Sequence, residues 1–170
     1  MALTELAVLG SHIIWKVRPW SKATTQAAAK LALQLDGSLD GTGSTNRKAT
    51  KDGTITSRGQ NEYTVDITYV ASRDDVNQEI YDTFMAREEL EMWRIDTGTM
   101  DAQRKCKATY VRGFITGFSL PDNVDDTVDS TTSLDVTYGP VDGMVTLSED
   151  DIVDINTAFT FIDTTMVPGD

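Results

Sequence analysis

His12 and Cys106 are the only histidine and the only cysteine in the chain, so the side chains most often used as base and nucleophile occur once each. Nucleophilic catalysis needs a histidine oriented by a third group. No G-x-S-x-G turn accompanies His12, which reads as a structural or solvent-facing residue. Lys105 and Lys107 flank Cys106 and would lower a thiol pKa, yet a lone cysteine in this setting reads as an incidental loop position. One thiol and one imidazole cannot make a four-ligand soft-metal site, and a single cysteine closes no intrachain disulfide. Asp122, Asp125, Asp126 and Asp129 offer oxygens suited to calcium, but without the glycine and terminal glutamate of a calcium loop they read as a solvated acidic turn. Carboxylate pairs able to hydrolyse a glycoside arise by chance in a chain with 27 acidic residues. Trp15, Trp20 and Trp93 would suit a carbohydrate-binding β-sandwich module, although aromatic residues more often fill cores and subunit interfaces. Gly41 and Gly43 lack the Gly-Lys-Ser/Thr that completes a phosphate-binding loop. The residues assemble into no recognisable active site, and no enzyme activity, metal or cofactor is expected.

Charge narrows the function classes further. Fifteen basic residues against 27 acidic ones leave a net charge of −12 over 170 residues, the opposite of the clustered Lys and Arg that grip nucleic-acid phosphates. Apolar residues make up 39%, enough for one packed core in a domain of this length. Nothing approaches the roughly 18 consecutive apolar residues of a membrane-spanning helix. Glu5 stands where a signal peptide would carry lysines, so the mature chain is expected to begin near Met1, in a cytoplasm.

Periodicity predicts a mainly β chain with one helix. Residues 1–30 read as an arm or first strand followed by a turn. Leu31, Leu33, Leu35 and Leu39 alternate with polar residues as in a half-buried strand. Gly41–Thr50 shows no period and reads as a polar loop. The cleanest strand is Glu62–Val70, with Tyr63, Val65, Ile67 and Tyr69 on one face. A helix over 73–87 follows, with Ser72 as its cap, Asp74 and Asp75 in its first turn, Arg87 in its last, and Val76, Ile80 and Phe84 at helical spacing. Leu90–Asp96 returns to strand, with either both faces covered or a bulge. Thr97–Lys107 is a charged connection. Ala108–Leu120 is a long strand with Tyr110, Phe114, Phe118 and Leu120 in phase, bent at Gly113 or Gly117. Ser133–Tyr138 is stopped by Gly139-Pro140, another strand spans Gly143–Leu147, and a last one is predicted over Ala158–Ile162. Seven or eight strands and one helix result, divided into an N-terminal arm or strand (1–30), a central domain (31–151) and a C-terminal strand or arm (152–170).

The order of these elements carries a resemblance. A loop ending Ala49–Gly53, the strand Glu62–Val70, one helix and Glu91–Asp96 come first. Lys107-Ala108-Thr109-Tyr110 then runs through Gly113-Phe114-Ile115-Thr116 to Asp125-Asp126, and Gly143–Leu147 precedes an acidic pair. This succession, over about Leu31 to Asp151, resembles the major tail proteins of siphophages that infect Gram-positive bacteria. The first thirty residues and those after Asp151 match little.

The resemblance implies an antiparallel β-sandwich or partly closed barrel with one flanking helix, of the phage tail-tube type. It implies a structural virion protein, a homo-oligomer whose hexameric rings stack into a non-contractile tail tube, assembled in the bacterial host cytoplasm. Its partners would be tape measure, tail terminator and distal tail proteins, with DNA passing through the lumen unbound and no membrane involved. A distal-tail hub or a contractile inner tube is the alternative within that class. Under this reading Arg104, Lys105 and Lys107 are candidates for ring-to-ring contact, because the polar stretches Thr97–Lys107 and Gly41–Thr50 are too long for simple turns. Asp66 and Asp135, on the polar faces of two strands, are candidates for the lumen. Strand edges left open would be used productively by closing a ring.

Overall fold

The computed structural model describes residues 7–31, 33–71, 73, 75–121 and 128–152. Its strands are β1 (Ile13–Pro19), β2 (Ala29–Lys30), β3 (Gln34–Thr50), β4 (Gly53–Val70), β5 (Glu89–Asp96), β6 (Lys105–Ser119) and β7 (Asp129–Thr146), with one helix, α1 (Asp75–Ala86). All neighbouring strands are antiparallel, in the order β2-β1-β5-β6-β7-β4-β3.

This single sheet folds back on itself. Register shifts interrupt β6 against β7 between Tyr110 and Arg112, between Arg112 and Gly113, and between Ile115 and Gly117. Gly139 in β7 sits at φ +100°, a conformation that favours glycine. Below these bends β6 and β7 continue the layer of β2, β1 and β5. Above them they join β4 and β3. The main core lies between the two layers: Trp15, Val17, Leu90, Met92 and Val111 come from one, Val65, Ile67, Tyr69, Ile115 and Leu134 from the other. Corner strands that bend from one layer into the next are how a sandwich is built from one ladder. Both glycines expected to bend β6 lie at register shifts.

The ladder does not close, but a side chain spans the gap. The Gln34 Oε1 accepts from the Trp15 N–H at 2.9 Å, while its Nε2 donates to the carbonyls of Trp15 (2.9 Å) and Leu31 (2.6 Å). The start of β3 is thereby stitched to β1, and the sheet becomes a partly closed barrel. Gln34→Ala is expected to cost about 2–3 kcal/mol, because it strands backbone groups that water reaches poorly. Urea unfolding checks this as a lowered midpoint with an unchanged slope.

The seam also overturns one expectation. Leu31 is buried, but Leu33 and Leu35 are 60% and 57% exposed, and only Leu39 again packs on the core. A bulge between Gln34 and Asp36 and a positive φ at Leu33 reverse the phase, so that the Gln34 amide faces the gap.

The helix matches expectation within two residues at its start and one at its end. Val76, Ile80 and Phe84 pack on the main core, and Tyr81 and Phe84 meet the edge of Phe118 at 5.4 and 4.9 Å. Arg87 lies just past the last turn, at φ +55°. The expected cap, Ser72, and Asp74 fall outside the described residues.

Strand β5 settles the choice left open for it. Its pairing with β6 is unbroken and both faces are covered: Leu90 and Met92 belong to the main core, while Ile95 joins Ile14, Cys106, Ala108 and Leu147 in a second cluster on the opposite face. In β6 the row facing the main core is Val111 and Ile115, with Phe114 43% exposed on the other face; the aromatic row faces away from that core until the Ile115/Gly117 bulge turns Phe118 towards α1. Strand β7 runs through Gly139-Pro140 to Thr146, so the strand expected over Gly143–Leu147 is the end of β7, short of Leu147, instead of another strand. The strand expected over 158–162 lies outside the described residues.

Candidate assembly surfaces

The largest departure from expectation is the segment read as a polar loop. Residues 41–50 continue β3, paired with 53–63 of β4 from Gly41↔Tyr63 to Thr50↔Gly53. Strand β7 leaves β4 at Thr64↔Asp135, so this two-stranded arm runs on alone for about eleven residues per strand, roughly 36 Å. Nearly all of it is exposed. It showed no alternation because neither face meets a core. Arg47, Lys48, Lys51 and Arg58 outnumber Asp52 and Glu62 on the arm, making it cationic in a chain of net charge −12. The pairing puts Thr45, Arg47, Thr56 and Arg58 on one face, and Asn46, Lys48, Ile55 and Ser57 on the other. An isolated hairpin is marginal in water, and both edges of this one are open templates for another chain.

Where the arm departs, other edges open too. Among the described residues, β7 has no strand partner on its β4 side from Val136 to Thr146, nor has β3 on its outer side.

The structure brings Asp66 and Asp135 onto one face. Across β3, β4 and β7 the outward rows are Asp40, Thr64 and Asp135; Ser38, Asp66 and Ser133; and Asp36, Thr68 and Thr131. The Ser133 hydroxyl donates to Asp66 and the Ser38 hydroxyl to Asp40 at 2.7 Å. Four carboxylates and five hydroxyls, with no cation in these rows, make a smooth acidic surface. Asp36 and Asp40 were missed because their spacing registers only once β3 is paired with β4.

Arg104, Lys105 and Lys107 lie at the opposite end of β6 from Ser119. Arg104 sits at φ +62° with Nη1 3.3 Å from Glu149 Oε1. The Asp101 carboxylate accepts from the Gln103 and Lys105 N–H groups, both at 2.9 Å. The turn is therefore ordered within the protomer. Lys105 and Lys107 are exposed.

Cys106 is not a loop residue. It is fully buried in the second cluster, and burial, followed by Asp101 and Asp96, pushes its thiol pKa up, away from the reactive thiolate. The lysines beside it lie across the strand and point to the other face. Leu147 and Ile152 pack on this cluster, held by Asp151: its Oδ2 accepts from Lys16 Nζ at 2.6 Å and the Ser148 hydroxyl at 2.7 Å, while Ser148 Oγ accepts from the Asp151 N–H. This reciprocal cap opens the helical turn at 149–152. Burial alone would raise the Asp151 pKa, but the bonds from Lys16 and Ser148 outweigh it and hold the carboxyl below its ordinary 3.8. Its contribution is thus complete above that value and is lost as pH falls through the folded-state one. Asp151→Ala is expected to speed Cys106 labelling by dithiodipyridine at least about tenfold, since the outer cover then opens locally.

The remaining candidates have structural roles. His12 is exposed, and its carbonyl accepts from the Thr97 hydroxyl at 2.7 Å. Trp15 is buried in the main core, Trp93 lies on the opposite face of the layer, and Trp20 stacks on the Arg112 guanidinium at 4.1 Å, so the tryptophans form no common platform. Glu91, almost wholly buried, accepts from Arg18 Nε and the Tyr110 hydroxyl, both at 2.7 Å. Burial first, then Glu91, pushes the Tyr110 phenol above its ordinary range. Of the acidic turn only Asp129 is described; Asp122, Asp125 and Asp126 are not. Among the described residues no helix is long and apolar enough to cross a membrane.

The described residues thus make an open β-sandwich with free strand edges, one helix and a bare cationic arm. The chain belongs to the phage tail tube protein family, whose model matches residues 7–142. No curated protein matches it in sequence. Among solved structures it is similar to the tail tube of SPP1, at 19% identity over 96% of this chain and 95% of that one, with a TM-score of 0.71. The tail of an empty gene transfer agent particle, refined with C6 symmetry, aligns at 11% identity over 84% and 100%, with a TM-score of 0.60. The sheath/tube terminator structure of an extracellular contractile injection system aligns at 12% identity over 82% and 96%, with a TM-score of 0.55.

Proposed function

We propose that six copies of this chain close into a ring, that rings stack head to tail into a non-contractile tail tube, and that phage DNA passes through its lumen without being held. The observation that carries this reading is the separation of charge along the strands. The arm at one end of β4 is cationic; at the other end stand Asp36, Asp75 and Asp129 against Arg73. Opposite charges at opposite ends favour head-to-tail stacking and penalise head-to-head contact. The six-fold symmetry of the gene transfer agent tail supports the hexamer, and the greater similarity to the SPP1 tube favours the non-contractile form over a contractile inner tube.

Ring closure uses the open edges of β3 and β7, turning an aggregation hazard into an interface. The acidic rows around Asp66 and Asp135 face the lumen, where carboxylates repel phosphates over a Debye length of about 8 Å. Lys105 and Lys107 are secondary ring-to-ring contacts, and Arg104 positions its turn through Glu149. The tube meets tape measure, terminator and distal tail proteins, and assembles in the host cytoplasm.

Negative-stain microscopy with a salt series tests this. Tubes with six-fold end views at low salt, breaking into rings at high salt, are expected. A chain that stays monomeric throughout and is not found in purified virion tails would overturn the reading. For the lumen, Asp66→Cys and Asp135→Cys in a Cys106→Ser background are expected to react with a bulky polyethylene-glycol maleimide as free subunits but not in tubes; equal labelling would place that face outside.

A further inference from the structure

The arm carries one large aliphatic side chain, Ile55, in a stretch otherwise made, apart from Ala49, Gln60 and Tyr63, of Gly, Ser, Thr, Asn and charged residues. It is 61% exposed and touches no core. It shares its face with Lys48, its cross-strand partner. At the far end of the molecule, between α1 and the ends of β4, β6 and β7, lies an open groove of about 580 Å³, lined by Tyr69, Ile80, Tyr81, Phe118 and Leu120, with one carboxylate, Asp75, and one cation, Arg73, among its residues. Tyr81 and Leu120 are 39% and 49% exposed.

We propose that Ile55 and Lys48 of each arm dock into this groove on a second copy of the chain in the next ring, Ile55 as the apolar knob and Lys48 against Asp75. The proposal deepens the stacking reading above and rests on it. Complementarity is chiefly apolar: an aliphatic side chain meets aromatic walls, and the Lys48 beside it finds Asp75 as the groove's one carboxylate, with Arg73 the like charge it must avoid. The knob and the groove lie at opposite ends of the same strand, as a repeating head-to-tail contact requires. Within one protomer, Ile55 and Tyr69 are fourteen residues apart on β4, about 46 Å at the usual rise. That distance is the greatest ring repeat over which this arm reaches the next groove, and strands tilted to the tube axis shorten it.

The test pairs Ile55→Cys with Leu120→Cys in a Cys106→Ser background, with Ile55→Cys/Tyr81→Cys as a second pair. Oxidation of assembled tubes is expected to give a ladder of covalent multimers on a denaturing gel; rings separated by salt before oxidation, and each single-cysteine chain, are expected to give none. Ile55→Asp is expected to leave rings intact and raise the concentration needed for tubes by well over about tenfold, whereas Ile55→Leu assembles normally. A ladder already present in isolated rings would place the contact between ring neighbours and overturn the proposal. Absence of a ladder from both pairs in tubes, or normal tubes from Ile55→Asp, overturns it too. If shortening the arm abolishes tubes all the same, the arm's part in stacking stands and only the knob is misplaced; tubes from the shortened chain would remove the knob and the arm's part together, leaving stacking to other contacts.

Discussion

Replacing residues 44–60 by an Asn-Gly turn abolishes tubes while leaving a folded protomer. The substitution keeps the Gly43↔Asn61 row and closes it with a two-residue hairpin turn of the favoured kind. Nothing in the protomer loses burial, since the arm pairs only with itself beyond Thr64. The melting temperature should therefore stay within about 2 °C of the parent. Assembly loses everything the arm supplies: Arg47, Lys48, Lys51 and Arg58, the Ile55 side chain and both open edges. Light scattering and negative-stain microscopy measure the loss. Tubes of normal length from the shortened chain would show that stacking is carried elsewhere, with Lys105 and Lys107 next in line.

Gly113→Ala unfolds the molecule or comes close to it. A Cβ built there falls 1.8 Å from the Asp135 carbonyl oxygen, 2.7 Å from the carbon of that carbonyl and 2.9 Å from the Val136 Cα. All three are backbone atoms, so no rotamer relieves the clash, and β6 must part from β7 at the corner that joins the two layers. A cost of about 3–5 kcal/mol is expected, lowering the melting temperature by about 10 °C or more in a chain of this size. Gly117 is the control. It lies at the neighbouring register shift, yet an added Cβ meets nothing within 4 Å, and Gly117→Ala should leave thermal unfolding almost unchanged. Equal losses from the two variants would mean that the corner tolerates no side chain anywhere, rather than being closed at Gly113.

The contrast between these glycines shows where reading the sequence stops. Both marked a bend in a long strand, but only the position of Asp135 across the ladder tells which of them is crowded. Leu31 to Leu39 teaches the same lesson. Their alternation reported a strand with one apolar face, and the strand exists; a single bulge at Gln34 reversed the phase and brought Leu33 and Leu35 into solvent. Cys106 looked like a loop residue between two lysines because a strand covered on its outer face by a distant segment, Leu147 to Ile152, leaves no local mark.

Several properties follow from the residues alone. The acidic balance, the helix around Ile80 and the strands with one buried face all depend on residue type or on contacts within a few positions, so composition and periodicity report them directly. Tertiary structure alone decided the rest. The arm has no hydrophobic period because it has no core side; the Gln34 seam, the acidic rows joining Asp36, Asp40, Asp66 and Asp135, and the opposed charges of the two ends exist only after strands far apart in sequence are set in register. That register is determined by bulges, corner glycines and the layer lying opposite, all of them long-range packing effects that a local pattern cannot carry.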